Sequence, residues 1–200
     1  MYREQRSICV YCERSVAEEV PGRPIPRIDH WKPLSLHHDL ALHWKNLYLS
    51  CPTKETCDSA KGDLSLRSGE NEPDLPWPSD YAYEILLGYT STGEIYLRTD
   101  INADEPVRKA LAAVIGSQGL GPGYRSARLN LNHPALVEAR AAAIDAEKKR
   151  IEKEFAGKRA TLEDREQHAM TLLAKNPLPD FVSVRVAWLR KFLGRGLQRA

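Results

Sequence analysis

The chain is predicted to fold as an α+β protein: two short strands and a helix in its first third, then a β-hairpin, then a mainly helical second half. Three observations lead there. All four cysteines fall between residues 9 and 57, in two close pairs around short apolar runs too small to make a core of their own. Tyr83, Ile85 and Leu87 fall on alternate positions, Ser91-Thr92-Gly93 turns the chain, and Ile95 and Leu97 alternate on the return, the pattern of a hairpin. Beyond residue 100 the period becomes that of amphipathic helices, punctuated by glycine and proline. The expected organisation is a cysteine-stapled unit over 1–68, a linker and β-hairpin over 69–100, and a helical region over 101–200.

With 200 residues, 42% hydrophobic and 28% charged, the composition is that of a folded protein. The net charge of +2 is too small to point to nucleic acid by itself. After Asp180 there is no acidic residue, while Arg185, Arg190, Lys191, Arg195 and Arg199 follow. They form either a basic face able to meet phosphates or the solvated side of a helix. No apolar run approaches the ~20 residues of a membrane span. The opening Met-Tyr-Arg-Glu-Gln-Arg-Ser has no apolar core for a signal peptide. The expected location is therefore the cytoplasm, with no membrane partner. There, paired cysteines point to metal binding before disulfides.

Taken in order, Cys9 and Cys12 form a knuckle, a tight turn aiming two thiolates at one point. Three prolines over 20–26 exclude helix interior, so this loop feeds a strand over 27–31 that ends at Lys32-Pro33. Residues 34–44, a loop or short helix, carry His37, His38 and His43 as polar loop residues. Leu47-Tyr48-Leu49 suits a second strand, and Thr53 or Thr56 stands where it could cap a helix bearing Asp58, Lys61 and Asp63. Trp31 and Trp44 are read as core. Pro73, Pro76 and Pro78 mark 68–79 as a linker. Asp104-Glu105-Pro106 opens a helix that the glycines of 116–123 break. Asn132-His133-Pro134 starts a long helix to about Phe155, closed at Gly157. Thr161-Leu-Glu-Asp164 resembles a capping box, starting a helix that ends before Pro177. A last helix over 181–197 carries Val182, Val186, Leu189 and Leu193 on one stripe.

Thiolates are soft donors that suit zinc, and Cys9, Cys12, Cys51 and Cys57 supply the four ligands of a closed, structural site. The alternative is buried free thiols or a labile disulfide. The second pair has five intervening residues, wider than a standard knuckle, but a loop containing Pro52 can still close a tetrahedron. Metal binding would then act as folding free energy for strands this short.

Asp29 and Asp58 are hard oxygen donors suited to a divalent ion on a phosphate, and the His30 imidazole is a side chain suited to act as base toward water. Neighbours in a strand diverge, so a strand end or bulge is needed for Asp29 and His30 to address one phosphate. Asn46 lies between, as a turn cap or a brace. An isolated Asp-His pair is an ordinary surface feature; its setting between two cysteine pairs is what makes it specific.

That setting resembles a family. Cys-x-Tyr-Cys-Glu from Cys9, Ile-Asp-His-Trp-Lys-Pro from Ile28, Trp-Lys-Asn-Leu from Trp44 and Cys-Asp-Ser-Ala-Lys-Gly-Asp from Cys57 are similar to the zinc-containing HNH (ββα-metal) endonucleases. More narrowly they resemble the HNH nuclease subunits of anti-phage defence systems, the PtuB-like subunit of Septu and related nucleases of some retrons. The match covers about Cys9 to Asp63; Leu129-Asn-Leu-Asn132 before a long helix is a less diagnostic likeness. The resemblance implies His30 as general base, Asp29 as the acidic metal ligand before it, and Asn46 as the brace of the loop bearing the base. Asp58 stands where the family has its last Asn or His, a metal ligand, giving a His-Asn-Asp site. Lys61 matches a family lysine that meets substrate phosphate or pairs with Asp58. Also implied are structural Zn2+, catalytic Mg2+ or Mn2+, a DNA substrate and docking to an ABC- or SMC-like ATPase subunit. The C-terminal helix, with Trp188 and Phe192, is then a docking element or an ordinary core helix. The alternative reading is a zinc-knuckle adaptor that binds nucleic acid or protein without cleaving it. Asp58 and the wide cysteine gap favour that.

Overall fold

A computed structural model of the chain describes residues 1–16, 25–67, 74–80, 82–102, 104–115, 128–155 and 160–196, with side chains given to residue 190. The expectations for most of the 20–26 loop, for the start of the 68–79 linker, for the breaks at 116–123, for Gly157 and for the side chains of Phe192 and Leu193 lie outside the described residues.

The architecture is α+β. Strands β1 (Arg27–His30) and β2 (Leu47–Ser50) pair antiparallel with Arg27 opposite Ser50 and His30 opposite Leu47. The register is unbroken, so Asp29 and His30 diverge at a strand end and not at a bulge. The outer side of β2 is occupied by the N-terminal segment. Gln5 binds both backbone groups of Leu49, and the Val10 amide donates to the Leu49 carbonyl at 3.1 Å. Helix α1 (Cys57–Lys61) follows. Thr56 stands at its N-cap without a side-chain cap bond, and Thr53 accepts from Arg14 instead. The hydroxyl of Ser50 receives the Asp58 amide at 3.4 Å and performs the cap that neither threonine supplies.

The hairpin is shorter than its alternation suggested. Tyr83–Ile85 is a 3-10 turn, and only β3 (Leu87–Tyr89) and β4 (Ile95–Leu97) pair. Its turn is built against a helix: Gly93 has φ +90°, and its carbonyl accepts Arg140 Nε at 2.5 Å. A Cβ there would overlap the Val137 carbonyl and come within 2.8 Å of the Ala141 amide. Gly93→Ala is therefore expected to destabilise the protein by about 2–4 kcal/mol, through left-handed strain and backbone overlap together. Urea unfolding measures it, and a loss below about 1 kcal/mol would contradict the packing described.

Helices α2 (Glu105–Ile115), α3 (Pro134–Phe155), α4 (Leu162–Leu173) and α5 (Val182–Gly196) complete the chain. Thr161 and Asp164 form the reciprocal capping box at the start of α4. Val182, Val186 and Leu189 of the expected stripe are buried against α3 and α4, with Ile151, Ala169 and Leu172. Val184, on the other face of α5, enters a larger core that also takes the cysteines, Trp31, Leu86, Ile95, Leu111 and Ile144. Buried side chains from all three expected segments thus meet in one cluster. Trp188 is half-buried between the two cores with the Arg165 guanidinium 5.9 Å from its ring centre. Of the C-terminal basic residues, Arg185 pairs with Glu147 and Arg190 with Glu166 at 2.8 Å, both within the helical bundle. Among the described residues no helix is long and apolar enough to cross a membrane.

Candidate functional site

The cysteines converge because three elements deliver them. The knuckle closes when the Glu13 amide donates to the Cys9 carbonyl at 3.0 Å and the Cys9 amide to the Arg14 carbonyl at 2.8 Å. Cys51 follows the end of β2 directly and Cys57 opens α1. The five-residue gap folds back through left-handed backbone at Glu55 (φ 66°) and Cys57 (φ 56°), and the Cys57 amide is fastened to the Leu129 carbonyl at 2.9 Å. All four sulfurs are buried and lie within 4.8 Å of one another, with Cys12 and Cys51 3.7 Å apart. Four sulfurs at ~2.3 Å from one ion would be separated by ~3.8 Å, so the spacing suits a tetrahedral site and the residues could hold a metal ion such as zinc. Without a cation such a cluster cannot be fully ionised. Hydrogen bonding, from Cys12 foremost, drives Cys51 far below the ordinary thiol range, while the same neighbours hold Cys57 far above it. The hydroxyl of Ser50 lies 3.8 Å from Cys9 Sγ, tying the cluster to the cap of α1.

Beside the cluster, β1 and α1 face each other across an open cleft of about 360 Å³ lined by Arg27, Asp29, His30, Asp58, Lys61 and Asp63, among others. Its floor is positioned by Asn46, which is fully buried in a 3-10 turn before β2. Asn46 Oδ1 accepts the Lys32 amide at 2.7 Å, and Nδ2 donates to the carbonyls of Lys32 at 3.1 Å and Leu40 at 3.2 Å. One side chain therefore joins both arms of the loop over 31–46. That loop carries Ala41, whose carbonyl lies 3.0 Å from His30 Nε2. A carbonyl can only accept, so Nε2 bears the proton and Nδ1 keeps the lone pair of the neutral ring.

Asp58 is half-buried, its carboxyl pushed up to about 6 by burial first and then by the facing Asp29. Arg27, half-exposed at the mouth, lies 3.6 Å from it. Two carboxylates meeting this way are hard donors whose mutual repulsion a cation between them would relieve. Asp29 itself is 6% exposed. Lys61, 1% exposed, donates to Asp29 Oδ1 and Oδ2 at 2.7 Å each and to the His30 carbonyl. Tyr11 donates its hydroxyl to Asp29 Oδ2. Lys61 is thus a buried partner of Asp29, where a pairing with Asp58 or a reach toward substrate had been expected. Asp63 lies at the rim of the same cleft.

Three contributors went unread in the sequence. Tyr11 and Ser50 sit next to cysteines, and that adjacency was the available signal: a residue between two ligands has its direction dictated by the knuckle. Arg27 had no signal beyond preceding the Asp-His pair by two positions. The histidine readings fit loop residues. His37 meets Asp74 at 3.3 Å, and His43 stacks on Trp77. The tryptophans divide. Trp31 is core, stacked on Tyr11 and donating to the Leu75 carbonyl. Trp44 is 56% exposed, against the expectation, because the 3-10 turn Trp44–Asn46 puts its last residue inside and its first at the surface. No family model, curated protein or solved structure matches the chain.

Proposed function

We propose that the chain is a metal-dependent HNH endonuclease that hydrolyses DNA phosphodiester bonds, the effector subunit of an anti-phage defence complex with an ABC- or SMC-like ATPase partner. The observation that carries this reading is the cleft itself, where an oriented imidazole shares a small concavity with two facing carboxylates. Asp29 and Asp58 would hold a magnesium or manganese ion, which when bound draws negative charge from the scissile phosphate. His30, through Nδ1, takes the proton from the attacking water. Asn46 keeps the Ala41 carbonyl where it holds that tautomer. Arg27, the half-exposed cation at the mouth, offers its guanidinium to a non-bridging phosphate oxygen. The cysteine cluster, in this reading, holds structural zinc and leaves no open position for substrate.

Zinc-loaded protein is expected to nick supercoiled plasmid in Mg2+ or Mn2+, and His30→Ala to lower the rate by about 10²-fold or more. Undiminished cutting by the variant would remove His30 from the role of base. A second reading, a non-cleaving adaptor for nucleic acid or protein, is favoured by the hold of Lys61 on Asp29. It expects His30→Ala and Asp58→Ala to keep full activity in a phage-challenge assay.

A further inference from the structure

We propose that the Lys61 ammonium is a built-in occupant of the Asp29 side of the cleft, and that a divalent cation reaches Asp29 only by displacing it. The inference rests on the metal-site reading above. Lys61 Nζ stands 2.7 Å from both oxygens of Asp29, on the bisector that a cation gripped by that carboxylate would use. Its third proton goes to the His30 carbonyl, so all three donors are engaged. Tyr11 takes a further lone pair of Asp29 Oδ2. Oδ2 thus accepts from two donors and Oδ1 from Lys61, and the Asp58 carboxyl comes within hydrogen-bond reach of Asp29 on the open side. The ion pair is almost fully buried on both sides, so its mutual attraction is little screened and each partner is costly to strand. Asp58, by contrast, has no cation in hydrogen-bond contact: Arg27 lies 3.6 Å away and the facing group is the Asp29 carboxyl.

The cleft is therefore asymmetric toward a cation. Asp58 meets the ion first, and loading the Asp29 side exchanges one positive charge for another. Lys61 keeps the metal-free chain folded, because it neutralises a carboxylate buried in the core. It also competes with the ion, so it sets the concentration at which the site fills. Removing its charge raises the energy of the metal-free state and leaves the loaded state nearly unchanged, so affinity must rise.

The test is Mn2+ binding to zinc-loaded protein, followed by electron paramagnetic resonance, for the wild type, Lys61→Met and Asp58→Asn. Lys61→Met is expected to bind Mn2+ at least tenfold more tightly than wild type, with a correspondingly larger rise in melting temperature on adding the ion. Asp58→Asn is expected to weaken binding. Equal or weaker binding by Lys61→Met, alongside wild-type binding that depends on Asp58, would overturn the exchange and leave the metal site standing. No Asp58-dependent Mn2+ binding in any variant would overturn both. Should Lys61→Met fail to fold, the wild type decides. Acylation of the Lys61 amine, read by mass spectrometry, is expected to accelerate at saturating Mn2+, and unchanged protection would overturn the proposal.

Discussion

Cys57→Ser, or removal of bound metal by a strong chelator, is expected to abolish the cooperative unfolding transition of the whole chain. Structural zinc contributes on the order of 10–16 kcal/mol in small zinc-dependent folds, comparable to or above the ~5–15 kcal/mol that separates a typical domain from its unfolded state. The effect should reach far beyond the knuckles, because both are fastened to distant elements. The Glu13 carbonyl accepts the Phe181 amide at 3.0 Å, the Glu13 carboxylate accepts the Ser183 amide at 2.9 Å, and Asp180 accepts the Ser15 amide at 2.6 Å. The first knuckle thereby seats the start of α5. The second holds the segment before α3, through Cys57 to Leu129 and through Asn130 Nδ2 to the Glu55 carbonyl at 2.9 Å. Hydrogen exchange should show protection lost in α5 and around Leu129 as well as in β1 and β2. A melting temperature within a few degrees of the untreated protein, with α5 still protected, would show that the cysteines are not the staple.

Asn46→Ala is expected to damage both stability and the proposed activity. It empties a fully buried side-chain site and leaves the partly buried Lys32 amide and the carbonyls of Lys32 and Leu40 without their partner. Unfilled buried bonds of this kind together cost about 2–4 kcal/mol. Asn46→Asp tests the geometry more sharply, since it keeps the acceptor for the Lys32 amide but sets a carboxylate oxygen against two carbonyls. Both variants should release the Ala41 carbonyl from His30. The proposed nuclease rate is then expected to fall about 10²-fold, more than the lost stability alone would cause, because the base is no longer aimed. Urea denaturation and plasmid nicking measure the two effects separately. An Asn46→Ala protein with unchanged stability would mean that the loop is held by something else.

Local features of this chain were legible because their causes lie within a few residues. The strands at Arg27–His30 and Leu47–Ser50 are bounded by proline and by a turn, and the capping box at Thr161 needs only a partner three positions on. The start of α3 at Pro134 follows from the fixed backbone angle of proline. Alternation misled at Tyr83–Ile85, where a 3-10 turn carries residues that a two-residue period also fits. Trp44 and Lys61 show the larger gap. Both sit in stretches whose structure was expected, yet which way each faces depends on partners elsewhere in the chain.

From residues alone came the α+β class, the order of the elements, the convergence of four thiols and the polar set around His30, since each follows from short-range pattern or from donor chemistry. Only the folded chain decided that Lys61 is enclosed against Asp29, 32 positions away, and that Glu13 seats a helix 170 positions on. It also decided that the Ala41 carbonyl selects the tautomer of His30. These are contacts between surfaces that meet only when the core closes, and no local periodicity encodes which polar groups will be shut in together.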